Sequence, residues 1–135
     1  MFANRLRLVA AGAALVMSAS LAVGTSATAE PATRQAKEER TITIRGAEPR
    51  PDVFFAKGRV FPEYKDRRAV MQRKLKSANR WRGWKAFTTN DRSRYRQRVA
   101  PLKRIGVVCY RVKVNGNARF KTSYSRRVCI ETRPT

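Results

Sequence analysis

Two short segments near the C-terminus, each holding one of the chain's two cysteines, constrain the fold more than any other feature. In residues 107–114, every second side chain is apolar and the others are Val107, Cys109 and two cations; residues 127–131 repeat this alternation around Cys129. A period of two places each cysteine on the strand face opposite the apolar side chains. If the segments pair as an antiparallel hairpin centred near Arg119, the cysteines form a disulfide, whose loop of about twenty residues contributes about 3 kcal/mol.

The N-terminus predicts an exported protein, and an oxidising compartment favours that disulfide over free thiols. Two arginines precede an apolar run over residues 8–23, and residues 27–29 form a small-x-small cleavage site. The run is too short and too rich in alanine for a transmembrane anchor. The protein is therefore expected to be secreted, either free or retained at the cell wall, and to have no membrane span. The expected parts are a signal peptide over residues 1–29, a flexible arm over 30–40 and a folded domain over 41–135.

Alternating and β-branched segments predict about seven short strands, and hence an all-β antiparallel sandwich. Residues 68–79 also fit a helix because Met71 and Leu75 are four apart, but the short length and the β-rich surroundings favour a strand. Residues 46–51 are expected to interrupt the first strands, and Gly58 to bend or bulge the second. The expected strands are residues 41–44, 52–61, 69–75, 81–89, 94–99, 106–114 and 124–132.

Six short motifs follow one another between residues 41 and 133. They are Lys57-Gly58-Arg59-Val60, Ala69-Val70-Met71-Gln72-Arg73, Asn79-Arg80-Trp81, residues 88–95, Tyr110-Arg111-Val112-Lys113-Val114 and Ser125-Arg126-Arg127-Val128. Their order resembles the pattern of small Ig-like β-sandwich domains exported by Gram-positive bacteria of high genomic GC content. The resemblance implies an Ig-like fold and a binding, adhesive or structural role, and it carries no catalytic residue. It also implies a packing position for Trp81.

Three places depart from the pattern of that family, and in one of them Asn79 or Arg80 stands where the family has the glycine before Trp81. Ser93 stands where the family has glycine, so the turn before the next strand must tolerate a side chain or change its type. Gln97 occupies an inward position that is usually apolar. Its amide therefore needs hydrogen-bond partners, or water must reach that end of the strand.

Positive charge dominates the composition. The chain has 31 Lys and Arg against 9 Asp and Glu, a formal net charge of +22. Such a charge attracts polyanions over long range and in a salt-dependent way, and arginine favours two-point contacts with phosphate, sulfate or carboxylate groups. We expect an anionic cell-wall polymer as the partner, with nucleic acid bound only non-specifically. Compositional bias and solubility explain the same charge without a selected site, so that alternative stays open.

Two rows of outward-facing cations are the candidate polyanion-binding residues. They comprise Arg94, Arg96 and Arg98 in one predicted strand, and Arg111, Lys113 and Arg127 in the last two. In an Ig topology the two rows would lie on opposite sheets, which weakens a single focused site. Trp84 is the candidate aromatic contact, because Trp81 has a packing role in the similar family and Trp84 has none.

Enzymatic chemistry is not expected. The chain contains no histidine, which removes Ser-His and Cys-His nucleophiles and most zinc sites. Its acidic residues show neither the paired arrangement of glycosidases nor the clustering of calcium sites, so we expect no metal and no cofactor. A redox role for the cysteines is not favoured, because catalytic thiol pairs are usually close in sequence.

Two further classes of function stay open. A cationic antimicrobial or competitor-directed protein needs an apolar face beside its charge, and regularly alternating strands do not supply the amphipathic helix of that kind. A loop-mediated protein-binding module would present the loops at residues 62–68 and 115–122. The salt dependence of binding distinguishes a loop-mediated contact from polyanion binding, because the affinity of a loop contact falls less as ionic strength rises.

Overall fold

The computed structural model describes residues 35–134, which form nine strand segments in two antiparallel sheets. The strands are β1 (Thr41–Ile42), β2 (Arg45–Arg50), β3 (Val53–Phe61), β4 (Arg68–Leu75), β5 (Arg82–Thr88), β6 (Arg94–Val99), β7 (Gly106–Val114), β8 (Ser123–Tyr124) and β9 (Val128–Thr132). No helix occurs among the described residues. The all-β class is thus confirmed, and the two sheets are consistent with a sandwich. The predicted signal peptide lies outside the described residues.

The first sheet is built around β3. Strand β6 pairs along one edge of β3, whereas β1 and β2 follow one another along the other edge. Ala56 and Val60 of β3 are fully buried, while Lys57 and Arg59 are exposed. Because successive strand side chains point to opposite faces, one face of this sheet turns to the core and the other to solvent.

The second sheet has the order β5-β4-β7-β8, and β9 also pairs with β7. Strand β8 lies beside the C-terminal end of β7, and β9 lies beside its N-terminal half. The inward side chains of β7 are all fully buried: Val108, Tyr110, Val112 and Val114. This strand therefore forms the centre of the core.

Aromatic side chains connect the two sheets within that core. The rings of Phe87 on β5 and Tyr95 on β6 lie 5.2 Å apart, so they join the sheets along one side. The hydroxyl of Tyr110 on β7 donates to the carbonyl of Ala100, just after β6, at 2.6 Å. Tyr110 is fully buried, and its hydroxyl thus has the hydrogen-bond partner that burial requires.

The predicted hairpin and its disulfide are confirmed. Cys109 on β7 and Cys129 on β9 are bonded and lie directly opposite one another, with their Cα atoms 4.0 Å apart. Gly106 opposes Thr132 in the same ladder, which centres the hairpin on Arg119. The observed pairing and register thus agree with the alternation around the two cysteines.

The strand boundaries differ from expectation at two places and agree at a third. Residues 46–51, expected as a break, lie mostly in β2, where Pro49 is tolerated because the strand is at a sheet edge and its register shifts between Ala47 and Arg50. The last strand is divided into β8 and β9, and these two differences yield nine segments where about seven were expected. Residues 69–75 form a strand within β4, as favoured over a helix.

The irregularity expected at Gly58 lies in the neighbouring strand. The β3–β6 register runs unbroken through Gly58. The carbonyl of Thr43, between β1 and β2, instead accepts a hydrogen bond from the Tyr95 hydroxyl at 2.6 Å, and a Cβ at Gly58 would lie 1.9 Å from that oxygen. Glycine is thus required by close backbone approach. Burial raises the pKa of Tyr95, which keeps its phenol protonated as the donor.

The turn before β6 accommodates a side chain at the position where the similar family has glycine. Ser93 adopts a left-handed backbone with φ of 59° and is almost completely buried. Its hydroxyl accepts a hydrogen bond from the backbone N–H of Tyr64 at 2.7 Å. This hydrogen bond offsets the conformational cost of the left-handed serine.

The predicted flexible arm overlaps the described residues over 35–40. There the N–H of Glu38 donates to the carbonyl of Arg119 at 3.1 Å, and the N–H of Lys121 donates to the carbonyl of Glu38 at 2.9 Å. Arg40 is buried, with 5% of its surface exposed. The C-terminal end of the predicted arm is therefore held against the segment that precedes β8.

Candidate functional site

Six exposed cations cover the outer side of the first sheet. We call this surface the charged face, and its members are Arg45 on β2, Lys57 and Arg59 on β3, and Arg94, Arg96 and Arg98 on β6. Adjacent strands lie about 4.8 Å apart, and alternate residues along a strand about 6.6 Å apart. The backbone therefore arranges the six charges as a grid on three neighbouring strands.

Like charges lie directly opposite one another within the charged face. Lys57 is paired with Arg45 on one side and with Arg96 on the other, and Arg59 is paired with Arg94. Such cross-strand pairs destabilise an antiparallel sheet. Among residues 35–134, no carboxylate forms an ion pair with any of the six. Within residues 35–134, therefore, no ion pair offsets the charges of this face.

Aromatic rings hold two of these cations in place. The guanidinium carbon of Arg96 lies 4.0 Å from the ring centre of Phe55, and that of Arg59 lies 4.5 Å from the ring centre of Phe61. Cation–π contact of this kind orders a guanidinium without removing its charge. Charges that are already positioned bind a polymer with a smaller loss of side-chain entropy.

A groove of about 750 Å³ follows the charged face. Its lining includes five of the six cations and the ring of Phe61; the cations are Arg45, Lys57, Arg59, Arg94 and Arg96. An anionic chain lying in this groove could contact charges from all three strands. The arrangement suits an extended polyanion better than a single small anion, because the charges are distributed along and across the sheet.

The second predicted row has different surroundings. Arg111 and Lys113 lie on β7 in the second sheet, so the structure separates them from the β6 row. Arg127 lies in the short link between β8 and β9 rather than in a strand. Arg111 and Lys113 are both half-buried, and Arg111 packs against two aromatic rings. The six predicted residues therefore do not form one patch.

The two tryptophans occupy opposite sides of the second sheet. Trp84 is 36% exposed, and its ring lies 5.2 Å from the core residue Tyr110. Trp81 precedes β5 and lies over the outer side, where the guanidinium of Arg111 is 4.5 Å from its ring centre. The ring that meets the outer cations is thus Trp81, whereas Trp84 covers the margin of the core.

The two loops considered for protein binding meet at Arg40. Its guanidinium carbon lies 4.9 Å from the ring centre of Tyr64, in one loop, and 3.9 Å from that of Phe120, in the other. Burial lowers the pKa of Arg40, and the nearby charges of Arg67 and Arg119 lower it further. This buried arginine ties the loops together at one end of the domain.

The ion-paired carboxylates have partners outside the charged face. The ion pairs found within residues 35–134 join Lys65 to Glu63, Arg119 to Glu38, Lys121 to Glu39 and Arg133 to Glu131. The same part of the chain contains no group of three or more metal-ligating side chains. It also contains no helix that is long and apolar enough to cross a membrane.

Sequence reasoning identified half of the charged face and missed the other half. Arg94, Arg96 and Arg98 were predicted from their strict alternation in one segment. The missed residues are Arg45, Lys57 and Arg59. Lys57 and Arg59 alternate in the same way, but the partnership of β3 with β6 joins residues about forty positions apart, which local periodicity does not reveal.

No family model, curated protein or solved structure matches this chain.

Proposed function

We propose that this protein is a secreted, non-catalytic binding module that is retained on an anionic cell-envelope polymer by its charged face. One observation carries the proposal: six exposed cations on three adjacent strands, with no ion-paired carboxylate within residues 35–134. Like charges placed opposite one another reduce the stability of the sheet. A polyanion bound across them would convert that repulsion into attraction.

The proposal includes an Ig-like identity for the sandwich. Two features support it beyond the two-sheet arrangement. The chain crosses between the sheets three times, from β3 to β4, from β5 to β6 and from β6 to β7. The hydroxyl of Tyr110 also donates back to the carbonyl of Ala100 across the β6–β7 link, which is similar to the tyrosine corner of immunoglobulin-like domains.

Binding through the charged face would act through many weak contacts. Each cation that neutralises a phosphate or carboxylate group of the polymer releases a condensed counterion, so affinity falls as salt rises. Arginines ordered on Phe55 and Phe61 would make two-point contacts with the anionic groups. Double-stranded DNA would bind by the same electrostatic mechanism without sequence preference.

The test compares two triple variants in binding to isolated Gram-positive cell walls across a salt series. The first changes Arg94, Arg96 and Arg98 to Gln; the control changes Lys76, Lys103 and Arg104, which are exposed outside the charged face, to Gln. Both variants lose three positive charges. We expect the first to bind at least tenfold more weakly, with the slope of log affinity against log salt reduced by about two to three. The control should change affinity less than threefold.

Equal weakening by both triple variants would contradict the proposal, because it would show that net charge alone accounts for binding. Undiminished binding of the first variant would also contradict it. Double-stranded DNA serves as a second ligand in the same series. We expect tighter binding to cell wall than to DNA at physiological salt.

A further inference from the structure

Arg111 lies at the centre of the outer side of the second sheet and is held from three directions. Its Nε donates to Oε1 of Gln72 on the neighbouring β4 at 2.8 Å. Its guanidinium carbon lies 4.5 Å from the ring centre of Trp81, which reaches it from the β5 side. Tyr124 on β8 approaches from the other side, with its ring centre 4.2 Å away. We call Arg111, Gln72, Trp81 and Tyr124 the stacked face.

Most of the hydrogen-bonding capacity of this arginine is unused. A guanidinium carries five N–H donors, and only Nε of Arg111 has a hydrogen-bond partner within residues 35–134. No carboxylate of those residues forms an ion pair with it. The group is therefore fixed in position, with both Nη atoms still able to donate.

The surroundings of Arg111 increase its attraction for an anion. Burial against the rings lowers the pKa of Arg111, although a guanidinium remains charged at neutral pH. Partial removal from water also strengthens its interaction with an opposite charge. Lys113, directly opposite Tyr124, and Lys74, whose Nζ lies 5.3 Å from the Trp81 ring centre, add positive charge beside it.

We propose that the stacked face is a discrete carboxylate-binding site, and that its ligand is a uronic acid unit of an acidic polysaccharide. The two Nη atoms of Arg111 present the parallel donors that match a planar carboxylate. The rings of Trp81 and Tyr124 lie beside the guanidinium, and Tyr124 is 44% exposed, so aromatic surface next to Arg111 is open to a sugar ring. Fixing the arginine in advance reduces the entropy lost on binding. The site lies on the second sheet and does not depend on the charged face.

The first test uses the unmodified protein, because its two tryptophans give two separate indole N–H signals in NMR spectra. Trigalacturonate is added in 150 mM NaCl, with galactotriose as the neutral counterpart and glucose 1-phosphate as a tetrahedral anion. We expect saturable shifts of the Trp81 indole and of the Arg111 Nε–H signal with trigalacturonate and none with galactotriose. Trp84, on the opposite side of the sheet, is the internal control and should not move.

The proposed site would be overturned if trigalacturonate shifted the indole signals of Trp81 and Trp84 equally. It would also be overturned if galactotriose shifted the Trp81 indole signal as much as trigalacturonate does. Because arginine also binds phosphate, glucose 1-phosphate should give weaker shifts than trigalacturonate, and an equal response to the two would overturn the assignment to a carboxylate.

A conservative variant supplies the second test. Arg111→Lys keeps the charge but removes the planar pair of donors, and it should weaken trigalacturonate binding at least tenfold. Arg104→Lys, in an exposed loop, is the matched control and should bind as the unmodified protein does. Unchanged affinity of Arg111→Lys would overturn the proposal. If that variant failed to fold, the titration of the unmodified protein would still decide. The triple variant of Arg94, Arg96 and Arg98 tests whether the two sites are independent. If it loses cell-wall binding but binds trigalacturonate as before, the stacked face acts independently of the charged face.

Discussion

The charged face and the stacked face are the outer surfaces of two sheets of one domain, yet they use arginine in different ways. On the charged face Arg94, Arg96 and Arg98 are exposed, and Arg94 and Arg96 lie opposite other cations. On the stacked face Arg111 is half-buried between two rings and hydrogen-bonded to Gln72. The first arrangement favours many salt-dependent contacts, and the second favours one oriented contact.

This difference shows that alternation in a strand determines which side chains face outward but not what they meet there. Arg96 and Arg111 occupy equivalent positions in alternating segments. Arg96 has Lys57 opposite it, whereas Arg111 has Gln72 opposite it and aromatic rings on both sides. The neighbouring strands therefore decide whether an outward arginine lies opposite another cation or is hydrogen-bonded and packed between two rings.

The largest loss of stability is expected from a substitution that disrupts the sheet carrying the charged face. In Gly58→Ala the new methyl group would overlap the Thr43 carbonyl, whereas Gly46→Ala, on the adjacent β2, meets no atom within 4 Å. We expect Gly58→Ala to lower the free energy of unfolding by at least about 3 kcal/mol and Gly46→Ala to change it by less than about 0.5 kcal/mol. Urea denaturation measures both. Similar midpoints for the two variants would show that the close approach at Gly58 is not required.

Removing the disulfide should destabilise the sheet that carries the stacked face. Replacing both Cys109 and Cys129 by alanine frees the unfolded chain from a covalent loop, and we expect a loss of about 3 kcal/mol in the free energy of unfolding. Cell-wall binding through the charged face should persist in the fraction that remains folded. Thermal and urea unfolding of the double variant, beside the oxidised protein, measure the loss. A change below about 1 kcal/mol would contradict the expected role of the cross-link.

The smallest expected effect compares one arginine from each face. Arg111→Ala removes packing against two rings and leaves the Gln72 carbonyl without its donor, so we expect a loss of about 1–2 kcal/mol. Arg96→Ala loses one cation–π contact but relieves repulsion with Lys57, and its net effect should stay within about 0.5 kcal/mol. The urea midpoints of the two variants, measured side by side, test this difference in stability. Equal losses would remove the energetic distinction between the faces.

Local patterns predicted most of the strands and the one covalent link. Strands β6 and β7 lie where alternation placed them, and the disulfide joins the two cysteines in the expected register. Strand β2 was missed because its glycine and proline, Gly46 and Pro49, are typical of a turn, although a sheet edge tolerates them. The contact between Thr43 and Gly58 was also missed, because the two residues meet only after β1 and β2 pair with β3.

The sequence by itself determined most of the strands, which side chains the alternating segments turn outward, and that Cys109 pairs with Cys129. These properties depend on a period of two and on a single possible cysteine pairing, both of which are local or combinatorial. Only the tertiary structure decided that Arg45, Lys57 and Arg59 join the β6 arginines, and that Trp81 and Tyr124 meet over Arg111. Those groupings depend on which strands become neighbours, and the energies that select neighbours come from burying the core between the sheets.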